Sequence, residues 1–415
     1  MSTSVRQRIQ AVSEDQSVTA LELFFDLVFV YALTQVTALI SDHMTGRGVL
    51  QGMIVLALIW WCWVGYSWLG NVVKADEGVA RAAFIAVMAA MFIAALAIPE
   101  SFEDLAGGLS GPLTLALCYS VVRVVHLGFF AYAARSAHDS GLMHQLVKFG
   151  VVTLTSIALM IAGALAGGDA QIALWLGAVA VDYIGTQAIG ARGWRLYSPG
   201  HFSERHGLII IIALGESIVA LGVGASAVAI STPLILAGIL GILVVATMWW
   251  VYFDVTSLAA ERRLARAAGV ERSRIARDAY SYLHLPMVAG IVLAALGLKK
   301  VLGYVGGDGG HDWNDALHGL PVWALHSGPT LYLVSLIMFR LRNIGSISRS
   351  RSAAIVALLA TAPLGEHIGA LLDLLLVTAI MAALVAFEAI RYAEARHRIR
   401  HLDGHQPAPH DAVAD

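Results

Sequence analysis

Cysteine is nearly missing from this chain, and charge is scarce. The two cysteines in 415 residues, Cys62 and Cys118, lie inside apolar runs. Thiols in such runs pack as small hydrophobes, so neither a disulfide framework nor a metal centre is expected. Charged residues make up 13% of the chain against 58% hydrophobic residues, and the mean hydropathy is +0.73. That balance excludes a water-soluble domain and makes lipid the solvent. No GxxxxGK[ST] phosphate loop, HExxH pair, GxSxG elbow or CxxC pair occurs. ATP hydrolysis, zinc proteolysis, lipase chemistry and thiol redox exchange therefore lack their usual signatures. The expectation is a protein with no catalytic residue, no cofactor and no nucleic-acid partner, and with membrane lipid around it.

What the chain has in quantity is apolar sequence in lengths near the roughly twenty residues a helix needs to cross a bilayer. Apolar runs between polar breaks predict helices over 19–41, 49–72, 79–98, 113–134, 149–166 and 171–190, and again over 207–230, 233–254, 280–302, 320–339, 353–363 and 367–390. The reading is an all-α integral membrane protein with about twelve transmembrane helices. Its parts are a tail over 1–18, a first six-helix half over 19–190, a connector over 191–206, a second six-helix half over 207–390 and a tail over 391–415. The first apolar segment carries Glu22 and Asp26 and ends without a small-residue cleavage site, so it reads as a retained helix.

Orientation follows from where Lys and Arg fall. One set of alternate loops holds Arg6, Arg8, Lys74 and Arg135, then the basic residues of 192–205, 262–277, 340–351 and 391–400. The opposite loops hold Arg47, Lys299, Lys300 and acids such as Glu100, Glu103, Asp104, Asp308 and Asp312. The basic side is expected to be cytoplasmic, with both termini on it. Counting the short run 353–363 as a span keeps the last basic tail on that side. The segment 259–277, rich in Ala, Arg and Glu, reads as a helix near the headgroups or as a solvated basic connector. Trp60-Trp61 and Trp249-Trp250 recur in the second and eighth helices, and Asp26 and Glu216 sit at nearly equal offsets. The two halves would then be parallel repeats about an axis along the membrane normal.

Ionisable groups in hydrocarbon cost about 2.5–3.5 kcal/mol each even on insertion scales, so they face the interior with partners. Glu22 and Asp26, four residues apart, share one helix face. Arg123 lies mid-helix with Tyr119 and His126 on its face. A guanidinium does not shed its charge, so a carboxylate is required beside it, and Asp182 and Glu216 are the candidates. A buried ion pair that only fixes helix register is the plain alternative for that pair. Counting Asp26, Asp182, Glu216 and Asp373 against Arg123 leaves carboxylates in excess. The excess calls for protons, for hydrogen bonds to His126, His284 or His326, or for a cation in transit. Pro286 and Pro329 fall inside predicted helices close to His284 and His326, where each removes a backbone hydrogen bond. Gly163 and Gly167 have the spacing of close-packed membrane helices.

The run Glu22-Leu-Phe-Phe-Asp26-Leu-Val-Phe-Val30, with Glu204-Arg205-His206-Gly207 and Leu214-Gly215-Glu216-Ser217, resembles the bacterial low temperature requirement protein A family. The resemblance implies a multi-pass bacterial membrane protein and assigns no reaction or substrate. In the motif, Glu204, Arg205 and His206 are expected to form a cytoplasmic polar network where the seventh helix begins, with Glu216 finding its partner on another helix. The aromatic pair before Asp26 is also similar to the first helix of lysosomal-type potassium and proton channels.

The expectation is a secondary transporter in the bacterial cytoplasmic membrane, coupled to protons or cations. A cation channel is the first alternative, and a scaffold or lipid-modifying enzyme the second. The residues expected to form a proton, ion or substrate site are Glu22, Asp26, Tyr119, Arg123, His126, Asp182, Glu204, Arg205, His206, Glu216, Ser217 and His326. Asp26 and Glu216 are expected to share one polar site.

Overall fold

The computed structural model of the chain describes residues 17–393 apart from 75, 77 and 227. Most of the expected tails, with Arg6, Arg8 and the basic residues of 395–400, lie outside the described residues. Within them the protein is α-helical and forms no strand.

A first compact unit holds α1 (Ala20–Asp42), α2 (Gly46–Gly70), α3 (Gly78–Ala97), α4 (Gly111–Ser136), α5 (Ser140–Ala166), α6 (Gly168–Ile189) and the start of α7 (Pro199–Ser226) as far as Arg205. Here α1 packs on α3, α3 on α4, α4 on α5 and α5 on α6. A second unit holds the rest of α7, then α8 (Thr232–Phe253) and the short α9 (Thr256–Arg266). The chain then passes through α10 (Gly269–Ile275), which belongs to the first unit, and a π-helical turn over Ala276–Tyr282. It continues in the second unit with α11 (His284–Gly306), α12 (Leu320–Ile344), α13 (Arg349–Gly365) and α14 (Ala370–Arg391). There α11 packs on α12, α12 on α13, α13 on α14, and α8 on α11 and α14.

Eleven helices among the described residues are long and apolar enough to cross a membrane. The remaining expected span, the eleventh in chain order, is α13, whose 17 residues reach about 26 Å at 1.5 Å per residue, just short of a hydrocarbon core of about 30 Å. The faces of the helices are inverted relative to a water-soluble protein. On α5, Val147, Val151 and Leu154 are exposed, whereas Thr153 and Ser156 are buried. Apolar side chains toward lipid and hydroxyls toward the interior are what a bilayer selects. The chain is an all-α multi-pass membrane protein.

Helix starts follow capping side chains. Ser110 accepts from Leu113 N with Pro112 in the first turn of α4, and Ser231 with Pro233 does the same for α8. Two starts, those of α5 and α7, fall two turns or more before the position that hydropathy gives. Asp139 Oδ1 accepts from Leu142 N at 3.0 Å and begins α5 nine residues before the expected position. Asn71 fixes the chain before α7: its Oδ1 accepts from Tyr197 N at 2.7 Å and Ser198 N at 3.1 Å, and its Nδ2 donates to Ser198 O at 2.6 Å. Residues 199–206, expected in a connector, are therefore the first turns of a membrane helix.

Three further expectations change. The basic segment 259–277 is broken into α9 and α10 rather than forming one helix. In α9 the residues Thr256, Ala260 and Leu264 are buried on one face, and Arg266 is exposed. Gly163 packs against Trp175 of α6, but Gly167 has φ +67° and ends α5, so the two glycines do not form one helix–helix seam. Trp60 and Trp61 are buried while Trp249 is exposed, so the recurring tryptophan pair does not recur in environment.

Pro329 interrupts α12, leaving the Leu325 carbonyl without its helical donor. At Gly328 a Cβ would lie 2.3 Å from the Ala294 nitrogen of α11, so the two backbones touch there. Gly328→Ala is expected to cost about 1–3 kcal/mol, as overpacking does. Gly238→Ala, where a Cβ meets nothing within 4 Å, should be neutral or stabilising. Thermal unfolding of the two purified variants in detergent micelles checks the difference, and equal melting temperatures would refute the contact.

Candidate functional site

The third residue of α1 is Glu22, and it does two jobs. With Thr19 it makes a capping box, the Thr19 N and Oγ1 both donating to Glu22 Oε2 at 3.0 Å. The same oxygen accepts from His201 Nε2 of α7 at 3.0 Å. One turn along α1, Asp26 Oδ1 accepts from Trp63 Nε1 of α2 and from Arg205 Nη2 of α7, both at 2.7 Å. Arg205 Nη1 reaches Glu22 Oε1 at 3.5 Å and donates to the Tyr66 carbonyl at 3.2 Å. Its guanidinium carbon lies 5.6 Å from the Trp63 ring centroid, within cation–π range. Glu22, Asp26, His201 and Arg205 are each at most 1% exposed.

This cluster sets two carboxylates against one guanidinium. Its charge closes only with a further positive charge: a proton on a carboxylate or on His201, or a bound cation. Atoms remain to receive one. Asp26 Oδ2, His201 Nδ1 and Arg205 Nε have no hydrogen-bond partner among the described residues.

A second cluster in the same unit is closed in charge. Arg123 Nη2 of α4 lies 2.8 Å from Asp182 Oδ1 of α6 and donates to Thr153 Oγ1 of α5 at 3.0 Å. Asp182 Oδ2 accepts from Ser156 Oγ at 2.9 Å and from the Tyr119 hydroxyl. The Phe149 ring lies 5.3 Å from the guanidinium carbon. One guanidinium meets one carboxylate, with hydroxyls filling the other acceptor, which is the composition of an ion pair that holds three helices together. His126 Nε2 donates to the Gly65 carbonyl at 3.0 Å, tying α4 to α2. A narrow apolar cavity lined by Leu58, Cys62, Met91, Leu115, Tyr119 and Met160 lies beside this cluster.

Of the two acids expected beside Arg123, Asp182 is the one bonded to it. Glu22 and Asp26 do act from one face, toward Arg205. The expected network of Glu204, Arg205 and His206 does not form, because consecutive helical residues point about 100° apart. Glu204 is exposed and accepts from Val18 N at 3.2 Å, while Arg205 turns to α1. His206, in the second unit, packs on the Tyr280 and His284 rings at 5.3 and 5.1 Å. Glu216 and Ser217 are buried on α7, with Ser217 Oγ 3.4 Å from Ala213 O. The bonds of Asp26 run to Arg205 and Trp63. His326 of α12 pairs with Asp373 of α14. His201 and Trp63 were missed. The spacing of His201 four residues before Arg205 was the available signal, once 199–206 is taken as helix.

Removing one partner of a buried ion pair costs about 3–5 kcal/mol, because the other charge stays behind. Arg205→Gln and Arg123→Gln are each expected to lower stability by about that much. Arg123→Gln with Asp182→Asn should restore part of the loss, whereas Glu204→Gln should stay within about 0.5 kcal/mol. Denaturation of the four variants in micelles is the check. A double variant no better than Arg123→Gln alone would rule out the pair as drawn.

No solved structure matches the chain. The uncharacterized protein RA0937 of Rhizobium meliloti (strain 1021) is 29% identical over 287 residues, covering 66% of this chain and 67% of that protein. The sequence model of the bacterial low temperature requirement A protein matches residues 17–386. Since that stretch contains α1, with its two carboxylates, and α7, with the guanidinium that binds them, the chain belongs to the bacterial low temperature requirement A protein family.

Proposed function

We propose that this chain works in the bacterial cytoplasmic membrane as a secondary transporter coupled to protons or another small cation, with Glu22, Asp26, His201 and Arg205 as its coupling site. The observation that supports it is the stoichiometry: two buried carboxylates share one guanidinium. Binding a proton neutralises the cluster, and losing it restores an extra negative charge in a low dielectric. The two states then differ by several kcal/mol of solvation, which is the kind of difference a transport cycle uses. The Arg123–Asp182 pair lacks this imbalance and serves as structure.

Orientation completes the reading. With α13 counted as a crossing, the Lys and Arg distribution favours both termini in the cytoplasm, with Glu22 about 3 Å and Asp26 about 9 Å from that end of α1. No catalytic set and no cofactor enters. The partners are membrane lipid and a transported small ion or molecule.

Flux into liposomes holding a pH-sensitive dye, driven by an imposed pH gradient, tests the coupling. Asp26→Asn and Glu22→Gln keep the side-chain shapes but cannot exchange the proton. Each is expected to reduce proton-coupled flux at least about tenfold, the effect of about 1.4 kcal/mol, in a protein that still folds because the other carboxylate stays on Arg205. Glu204→Gln should transport normally. Unchanged pH dependence in both variants would remove the cluster from the mechanism, and a gradient-independent current that both retain would favour a channel. Reporter fusions after Arg8 and Arg400 check the topology: the same side is expected, and opposite sides would refute it.

A further inference from the structure

His326 and Asp373 are fully buried in the second unit, the first on α12 and the second in the opening turn of α14. The imidazole is flanked by two oxygens. Nδ1 lies 2.9 Å from the Leu358 carbonyl of α13, and Nε2 lies 2.9 Å from Asp373 Oδ1. A carbonyl oxygen only accepts, so Nδ1 carries a hydrogen. A neutral ring has a single N–H, so its Nε2 would then present a lone pair to the carboxylate, which when ionised also only accepts. Moving the hydrogen to Nε2 transfers the same repulsion to Leu358. Both contacts close only when the pair holds one more proton, as imidazolium against carboxylate or as neutral ring against carboxylic acid. Either form has zero net charge, and the form lacking the proton leaves an uncompensated buried negative charge.

The same accounting gives a different answer elsewhere in the unit. His284 Nδ1 lies 3.2 Å from the Ala279 carbonyl, and its Nε2 lies 2.8 Å from the Tyr252 hydroxyl, which can donate. A neutral ring satisfies both contacts there. The distinction therefore comes from the identity of the second partner.

The surroundings leave the pair to itself. On α11, His284 is bonded as above, and Lys299 and Lys300 are part-exposed near the end of that helix. On α8 the titratable group is Tyr252. Arg351 of α13 and Glu388 of α14 bond each other at 3.1 Å, and Arg340 and Arg342 lie at the last turns of α12. Arg340 and Glu388 are each about 20 Å along their helices from the pair. Asp315, His318 and His367 are exposed and Glu366 is part-exposed, in the segments that precede α12 and α14. The fold also makes room for the carboxyl group. A Cβ on Gly365 would lie 2.7 Å from Asp373 Oδ2, an atom with no hydrogen-bond partner among the described residues. The interruption at Pro329 begins three residues after His326.

We propose that His326 and Asp373 form a proton-binding site in the second unit, holding one proton between Nε2 and Oδ1. It is built from other residues than the coupling cluster and binds its proton whether or not the chain transports.

The test is magnetic resonance on the full chain in lipid nanodiscs, labelled with 15N-histidine and 13C-aspartate and assigned by His326→Gln, with infrared spectra of wild type and Asp373→Asn. Support is either a His326 ring protonated on both nitrogens, or a singly protonated ring with a carboxylic-acid band that Asp373→Asn removes. In Asp373→Asn the ring should be neutral with hydrogen on Nδ1, since the amide donates to Nε2. Potentiometric titration should count one proton per chain fewer in that variant. A singly protonated wild-type ring beside an ionised Asp373 would overturn the site. Sequential backbone correlations in uniformly labelled wild type give the same assignments, so a variant that fails to fold does not block that outcome. Loss of flux in the Asp26 and Glu22 variants leaves these signals unchanged, which separates this site from the transport reading.

Discussion

A guanidinium in hydrocarbon cannot be neutralised by losing its proton, and the rest of the first unit is arranged around that constraint. Among the described residues two arginines are fully buried there, Arg123 and Arg205. Each takes its carboxylate from another helix and its remaining acceptors from hydroxyls or from backbone carbonyls. Helices in lipid have no hydrophobic drive to associate, so such bonds and close backbone packing carry much of the specificity. Arg123 links α4, α5 and α6, and Arg205 links α7 to α1 and α2. The second helix connects the two sets: its Tyr66 carbonyl accepts from Arg205, and its Tyr66 hydroxyl donates to the Val122 carbonyl of α4 at 3.1 Å.

The clusters differ in stoichiometry, and stoichiometry decides what each can do. A one-to-one pair with filled acceptors is at its lowest energy in one protonation state and gains nothing by exchanging a proton. Two carboxylates on one guanidinium have no such single closed state. The same holds for a histidine placed between two acceptors, as at His326. Counting donors and acceptors thus separates groups that hold helices from groups that can hold a proton.

Much of the fold was legible because span length and apolar composition are local properties. The four-residue spacing of Glu22 and Asp26 put them on one face, and the need of Arg123 for a carboxylate narrowed its partner to Asp182 or Glu216, of which Asp182 is the one bonded. What escaped was set by residues far apart in the chain. The first turns of α7 are polar and look like a connector, and only Asn71, 127 residues away from Ser198, shows where the helix begins. Placing that start too late hid Arg205 as a deep guanidinium and His201 altogether, and the count of buried charge left out both Arg205 and Glu22. His326 and Asp373 are 47 residues apart on different helices, and no spacing rule joins them. The tryptophan repeat failed for a related reason, since identical pairs can face the interior on one helix and the outside on another.

Glu22 shows how a charge and a helix end become one equilibrium. Its Oε2 accepts from the Thr19 nitrogen, the Thr19 hydroxyl and His201. A proton placed on that oxygen would take up a lone pair and reverse one of these bonds. Helix capping contributes about 1 kcal/mol, and a charge-assisted hydrogen bond about 1.5–3 kcal/mol. The energy linking protonation to the geometry of the first turn is then of the order of 1–3 kcal/mol, a factor of about five to a hundred and fifty in a two-state population. A coupling of that size needs no long pathway. Asp26, one turn along, has the oxygen left open, and both carboxylates bond Arg205, so a change of charge on the pair bears directly on how α1 is held against that end of α7.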